Sequence, residues 1–234
     1  AWRPTASIFS NRPRWERISL LSSSNFVGRS HELLRLSHKL LEQETGNTGK
    51  NRLGGVKHLV FSIRGETGIG KSRLVHEFIK RQCVDNDDIM ILKGQPLSYA
   101  QPAYCLWTSL LLNLLAMGRD NRLDYEEFRS RILSLSNDTE LKGSIPFLAE
   151  TLSIRSGDKR LDELDSKAIA LETRIAFRNL LKALAGRKRL ILVLDDLQWI
   201  DTTCRNVLEF IVGNCSLEKP ILFLLVYRPE WDAG

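Results

Sequence analysis

The sequence predicts an α/β fold in three layers, with a mostly parallel sheet held between two layers of helix. Three stretches predict it. Residues 59–74, LVFSIRGETGIGKSRL, read as an apolar strand, a glycine-rich turn and a helix. Residues 190–194 are consecutive apolar side chains, the pattern of a strand buried on both faces of a parallel sheet. Residues 220–227 form a further continuous apolar run.

The turn in the first stretch fits G-x-x-x-x-G-K-[ST], with Gly65, Gly70, Lys71 and Ser72 at the required spacings. Glu66, Thr67, Gly68 and Ile69 complete the candidate nucleotide-binding loop. Gly65, Gly68 and Gly70 are expected to adopt backbone angles closed to other residues and to let phosphate approach the main chain. Successive N–H groups then form an anion nest, and the following helix adds the positive end of its dipole. Lys71 brings a mobile charge to the β- and γ-phosphates, and the Ser72 hydroxyl is a hard oxygen ligand for magnesium. The bland alternative is a chance glycine-rich turn. The strand before it and the helix after it weigh against that.

The composition is that of a globular protein: 43% hydrophobic and 26% charged residues in a chain of 234. No apolar run reaches the roughly 18 residues of a membrane span. Net charge is +6, and half of it (+3) comes from Arg3, Arg12, Arg14 and Arg17 against Glu16. The rest is only mildly basic, so the balance argues weakly for a nucleic-acid partner. Cys83, Cys105, Cys204 and Cys215 show no C-x-x-C pair. Buried thiols in a reducing, cytoplasmic compartment are expected, and His31, His38, His58 and His76 are not spaced with them as metal ligands.

Residues 1–24 carry Arg, Ser and Pro without periodicity and are expected to form a basic disordered arm or linker, with 25–234 as the folded core. There is no apolar stretch of the secretory type; Arg and Ser enrichment leaves an organellar transit peptide open. The segment NFVGR at 25–29 precedes a helix from about Ser30 to Glu44, striped by Leu33, Leu34, Leu36, Leu40 and Leu41 and capped by Ser30. Phe26 and Val27 either staple the helix entry or form an apolar shelf for a base. Residues 45–55 are rich in Gly, Asn and Lys and read as a loop.

The first strand is expected over Lys57–Arg64, the helix after the turn over Gly70–Gln82, and the second strand over Ile89–Lys93. An apolar helix over Pro102–Met117 and one over Asp124–Leu135 follow. Gly143, Pro146 and Gly157 make residues 136–165 short helices in loops, before a helix over Ser166–Ala185. The strand ending at Leu194 delivers Asp195 and Asp196 to its C-terminal tip, where open α/β sheets bind ligands. Asp195 would hold magnesium and Asp196 would orient or deprotonate an attacking water. Asp201 caps a helix over Thr202–Val212. Arg228, just past the last strand, lies at the ligand edge, where it either senses the terminal phosphate or is a surface arginine.

The ordered set NFVGR, GETGIGKS, LILVLDDLQWID and LLVYRPE resembles the STAND branch of the AAA+-related P-loop ATPases, the modules attached to nucleotide cyclases, serine/threonine kinases and MalT-type regulators. Gly65–Ser72 alone would name only the P-loop superfamily. The resemblance implies ATP or ADP as ligand, Mg2+ as cofactor and attached signalling, effector or repeat domains as partners, with nucleotide-dependent self-association. It implies adenine contact and site closure by Phe26, Val27, Gly28 and Arg29. Asp195 takes the Walker B metal role, Asp196 the catalytic acid position and Arg228 the first sensor position. Trp199 and Asp201 fit the branch's pattern without a chemical role. Two departures matter. Asp196 stands where many hydrolytic relatives have Glu, so turnover should be slow. Sheets of this type run 5-1-4-3-2, yet only four strands are found before Gly234. A fifth strand, a helical lid and a winged helix are therefore expected to be missing, as from a truncated module with one edge of strand one unpaired.

Four readings stay open on sequence alone. They are a regulatory ATPase switch, an origin-recognition-like DNA-handling ATPase, a non-hydrolysing nucleotide-binding scaffold and a small-molecule kinase. The last lacks a visible lid or acceptor pocket.

Overall fold

The computed structural model describes residues 26–45, 58–82, 86–96, 102–116, 123–214 and 219–230. The expectations for residues 1–24 and for the loop at 46–55, and those for Cys83 and Cys215, lie outside the described residues.

The elements run α1 (Ser30–Thr45), β1 (Leu59–Arg64), α2 (Lys71–Gln82), β2 (Ile89–Gly94), α3 (Cys105–Leu114), α4 (Tyr125–Leu135), α5 (Thr139–Thr151), α6 (Lys159–Glu163), α7 (Ser166–Arg187), β3 (Arg189–Leu194), a 3-10 turn (Leu197–Trp199), α8 (Thr202–Asn214) and β4 (Leu222–Tyr227). The sheet is parallel throughout, in the order β1-β4-β3-β2. The helical insertion expected between the second and third strands is α3 to α7.

Strand parity builds the layers. Along β3, Leu190, Leu192 and Leu194 join the core beneath α3, α4, α5, α7 and α8, while Ile191 and Val193 face the opposite core. Along β4, Phe223, Leu225 and Tyr227 go one way and Leu222, Leu224 and Val226 the other. α1 and α2 close the second face with Leu33, Leu36, Leu40, Leu74, Val75, Phe78 and Ile79. Each such side chain withdrawn from water contributes roughly 1.5–3 kcal/mol. That is why the continuous runs became central strands. β1 is different: Val60, Ser62 and Arg64 are exposed, and no described strand pairs with its outer edge.

Some expectations change. Ser30 is the first helical residue, one place inside the cap position, and Arg29 precedes it at φ 56°. Residues 139–151 form one continuous helix although Gly143 and Pro146 lie inside it. Its Asp138 cap and the burial of Leu141, Ile145, Phe147 and Leu148 outweigh a proline's lost hydrogen bond. The helix expected at Pro102–Met117 begins at Cys105, after Tyr104 in the left-handed region at φ 63°.

Candidate functional site

The site lies at the C-terminal ends of β1, β3 and β4. β1 leads into the loop Gly65–Gly70, and the Gly65 N–H donates to Tyr227 O at 3.3 Å, which sets the loop beside the end of β4. Gly68 (φ 84°) and Gly70 (φ 94°) hold left-handed angles that only glycine adopts without strain. Gly65 is not left-handed; a Cβ there would come within 3.1 Å of the exposed Ile69 side chain, which would have to shift slightly. Glu66, Thr67, Gly68 and Ile69 form the exposed rim. Lys71 opens α2, and its Nζ donates to Gly65 O at 2.6 Å and Glu66 O at 3.0 Å, so the ammonium lies over the loop. Ser72 Oγ donates to Asp195 Oδ2 at 3.0 Å, joining the loop to the tip of β3.

Asp195 is buried, and its Oδ1 accepts the Asp196 N–H at 2.9 Å. Asp196 turns the chain sharply at φ 56°, ψ 38°, a region that Asp tolerates better than most residues. Two amides hold its carboxylate: Gln95 Nε2 donates to Oδ2 at 2.7 Å and Gln198 Nε2 to Oδ1 at 3.0 Å. Neither glutamine stands out in the sequence. Gln95 is the residue just past β2; β2 pairs with β3 up to Gly94 opposite Leu194, which brings Gln95 to the tip of β3, where its side chain reaches Asp196.

The segment before α1 reaches the loop through one residue. Arg29 NH2 donates to Ile69 O at 2.8 Å. Gly28, also left-handed at φ 80°, and Arg29 together make the bend that aims it. Phe26 packs against the core and lies beneath the Arg81 guanidinium, 5.9 Å from its ring centre, whereas Val27 is 86% exposed and staples nothing. Arg228 follows β4 and lies over the exposed Trp199 ring at 5.8 Å. Arg64 NH2 donates to Pro229 O at 2.7 Å, which ties that strand end to β1. Asp201 caps α8 as expected, its Oδ1 accepting the Cys204 N–H at 2.8 Å.

Among the described residues no helix is long and apolar enough to cross a membrane. A family model described as AAA ATPase domain matches residues 25–224, which run from just before α1 into β4 and include both acidic residues at the tip of β3. No curated protein matches the chain.

Proposed function

Because the chain belongs to the AAA ATPase domain family, we propose that it is a slow ATP-driven switch of the STAND type. It binds Mg-ATP at Gly65–Ser72, hydrolyses it with Asp196, and rearranges attached signalling or effector domains as ATP becomes ADP. The observation that carries this reading is the 3.0 Å contact between Ser72 Oγ and Asp195 Oδ2. Adjacent oxygens of an octahedral magnesium site stand about 3 Å apart when each lies about 2.1 Å from the metal. The two hard donors therefore fit magnesium, which when bound neutralises charge on the β- and γ-phosphates.

In this reading Lys71 exchanges its contacts with the loop carbonyls for phosphate oxygens. Asp196 takes the proton of a water whose oxygen attacks the γ-phosphorus, and the bond to the bridging oxygen breaks to leave ADP. A short Asp arm held by two amides makes that base slow. Arg228 senses the terminal phosphate. Phe26, Val27, Gly28 and Arg29 close the adenine side, and Arg29 links that segment to the loop. The test compares ATP-loaded and ADP-loaded protein by light scattering and by partner capture. Different assemblies or partners are expected, and identical behaviour in both forms would sink the switch.

A further inference from the structure

Cys105, Asp201 and Cys204 stand apart from the site described above. They come from two elements: Cys105 opens α3, while Asp201 caps α8 and Cys204 lies in the first turn of that helix. Cys105 and Cys204 are 5% and 0% exposed. One ligand atom from each of the three residues lies within 4.8 Å of the other two. Cys105 Sγ is 3.7 Å from Asp201 Oδ2, while Oδ1 is committed to the cap of α8. Trp107 Nε1 donates to Cys204 O at 3.0 Å and fixes α3 against α8, so the cluster is held by surrounding packing. The sequence argued against a metal site because His31, His38, His58 and His76 are not spaced with the cysteines as ligands. The fold supplies the proximity that the spacing hides.

We infer that Cys105, Asp201 and Cys204 bind a thiophilic divalent cation of the zinc class. Two thiols and a carboxylate are a donor set that zinc accepts. Donors on one tetrahedral zinc are separated by less than twice the roughly 2.3 Å zinc–sulfur distance, so the side chains need only small movements. Binding releases one proton from each thiol. Two thiolates and a carboxylate around a dication leave a single net negative charge, which the N-terminal ends of α3 and α8 favour. Because each thiol must lose its proton to ligate, uptake is expected to fall as pH drops. The ion would tie α3 to the start of α8, a few residues past Asp196.

The test uses the full chain, reduced, stripped with chelator and titrated with Co2+ under anaerobic conditions. One Co2+ per chain is expected, with thiolate-to-cobalt charge-transfer absorption that Zn2+ bleaches. A ligand counts for at least as much as an outer-shell partner. Cys105→Ser and Asp201→Asn should therefore each weaken Co2+ binding by roughly tenfold or more. Asn keeps the helix cap, so Asp201→Asn separates ligation from folding. The double variant Cys83→Ser/Cys215→Ser should keep the band. Absence of charge transfer in the wild-type chain would overturn the site. So would a band that survives Cys105→Ser and vanishes when Cys83 and Cys215 are replaced.

Discussion

Gln95 Nε2 donates to Asp196 Oδ2 at 2.7 Å, and Gln198 occupies the other carboxylate oxygen. In the reaction proposed above Asp196 takes a proton from water, and an amide donor on each oxygen occupies about half of the carboxylate's acceptor sites and lowers its basicity. Gln95 is therefore expected to act as a brake on that step. Gln95→Ala should raise the single-turnover rate of ATP hydrolysis by roughly tenfold, the lower end of the value of one hydrogen bond to a charged group. ATP affinity should stay constant. A slower rate would mean that Gln95 orients Asp196 productively.

Asp196→Asn preserves side-chain size and the tolerance for φ 56° but removes the proton acceptor. Hydrolysis should fall by roughly 100-fold or more, while nucleotide binding stays near the wild-type value. Quench-flow measurement of bound ATP conversion separates the two effects.

Arg29 joins the segment before α1 to the phosphate loop through Ile69 O. The contact is exposed, so its effect is small: Arg29→Ala should weaken ATP binding by roughly two- to fivefold. Titration calorimetry is the measurement. A change in melting temperature without a change in affinity would assign Arg29 to packing alone.

His58 stands at the entrance to β1, where its Nδ1 accepts the Ile221 N–H at 3.2 Å and its ring meets Phe223 edge-on. Burial pushes its pKa down from the ordinary 6.5 to about 4. Between those values the unfolded chain carries a proton that the folded chain refuses. Stability is therefore lost as pH falls from 6.5 towards 4, by about 3 kcal/mol in all. His76 is pushed down too, by burial first and then by Lys93, so it contributes in the same direction. Urea unfolding across this range should show the loss, and His58→Gln should flatten the slope. An unchanged slope would place the effect elsewhere.

The parts of this molecule that a linear pattern carries were legible. β3 and β4 are continuous apolar runs because both of their faces are buried, and Gly65–Ser72 is a local motif whose spacing is its chemistry. The parts made by juxtaposition were not. Nothing in the sequence marks Gln95, because its importance comes from the pairing of β2 with β3, which sets it beside a residue 101 positions away. Cys105 and Asp201, 96 positions apart, were hidden in the same way. Gly143 and Pro146 signalled a broken helix, but the apolar face of α5 packs on α7 and overrides them.

A switch timed by slow hydrolysis is open to a pulse–chase on pre-bound ATP. Labelled ATP is bound with magnesium, excess unlabelled ATP is added, and label is followed through hydrolysis and release, with Lys71→Ala as control. Conversion to ADP that then stays bound is expected, with release setting the cycle, and loss of both binding and conversion in Lys71→Ala. Bound ATP that persists unconverted in the wild-type chain would contradict it and leave a nucleotide-binding scaffold.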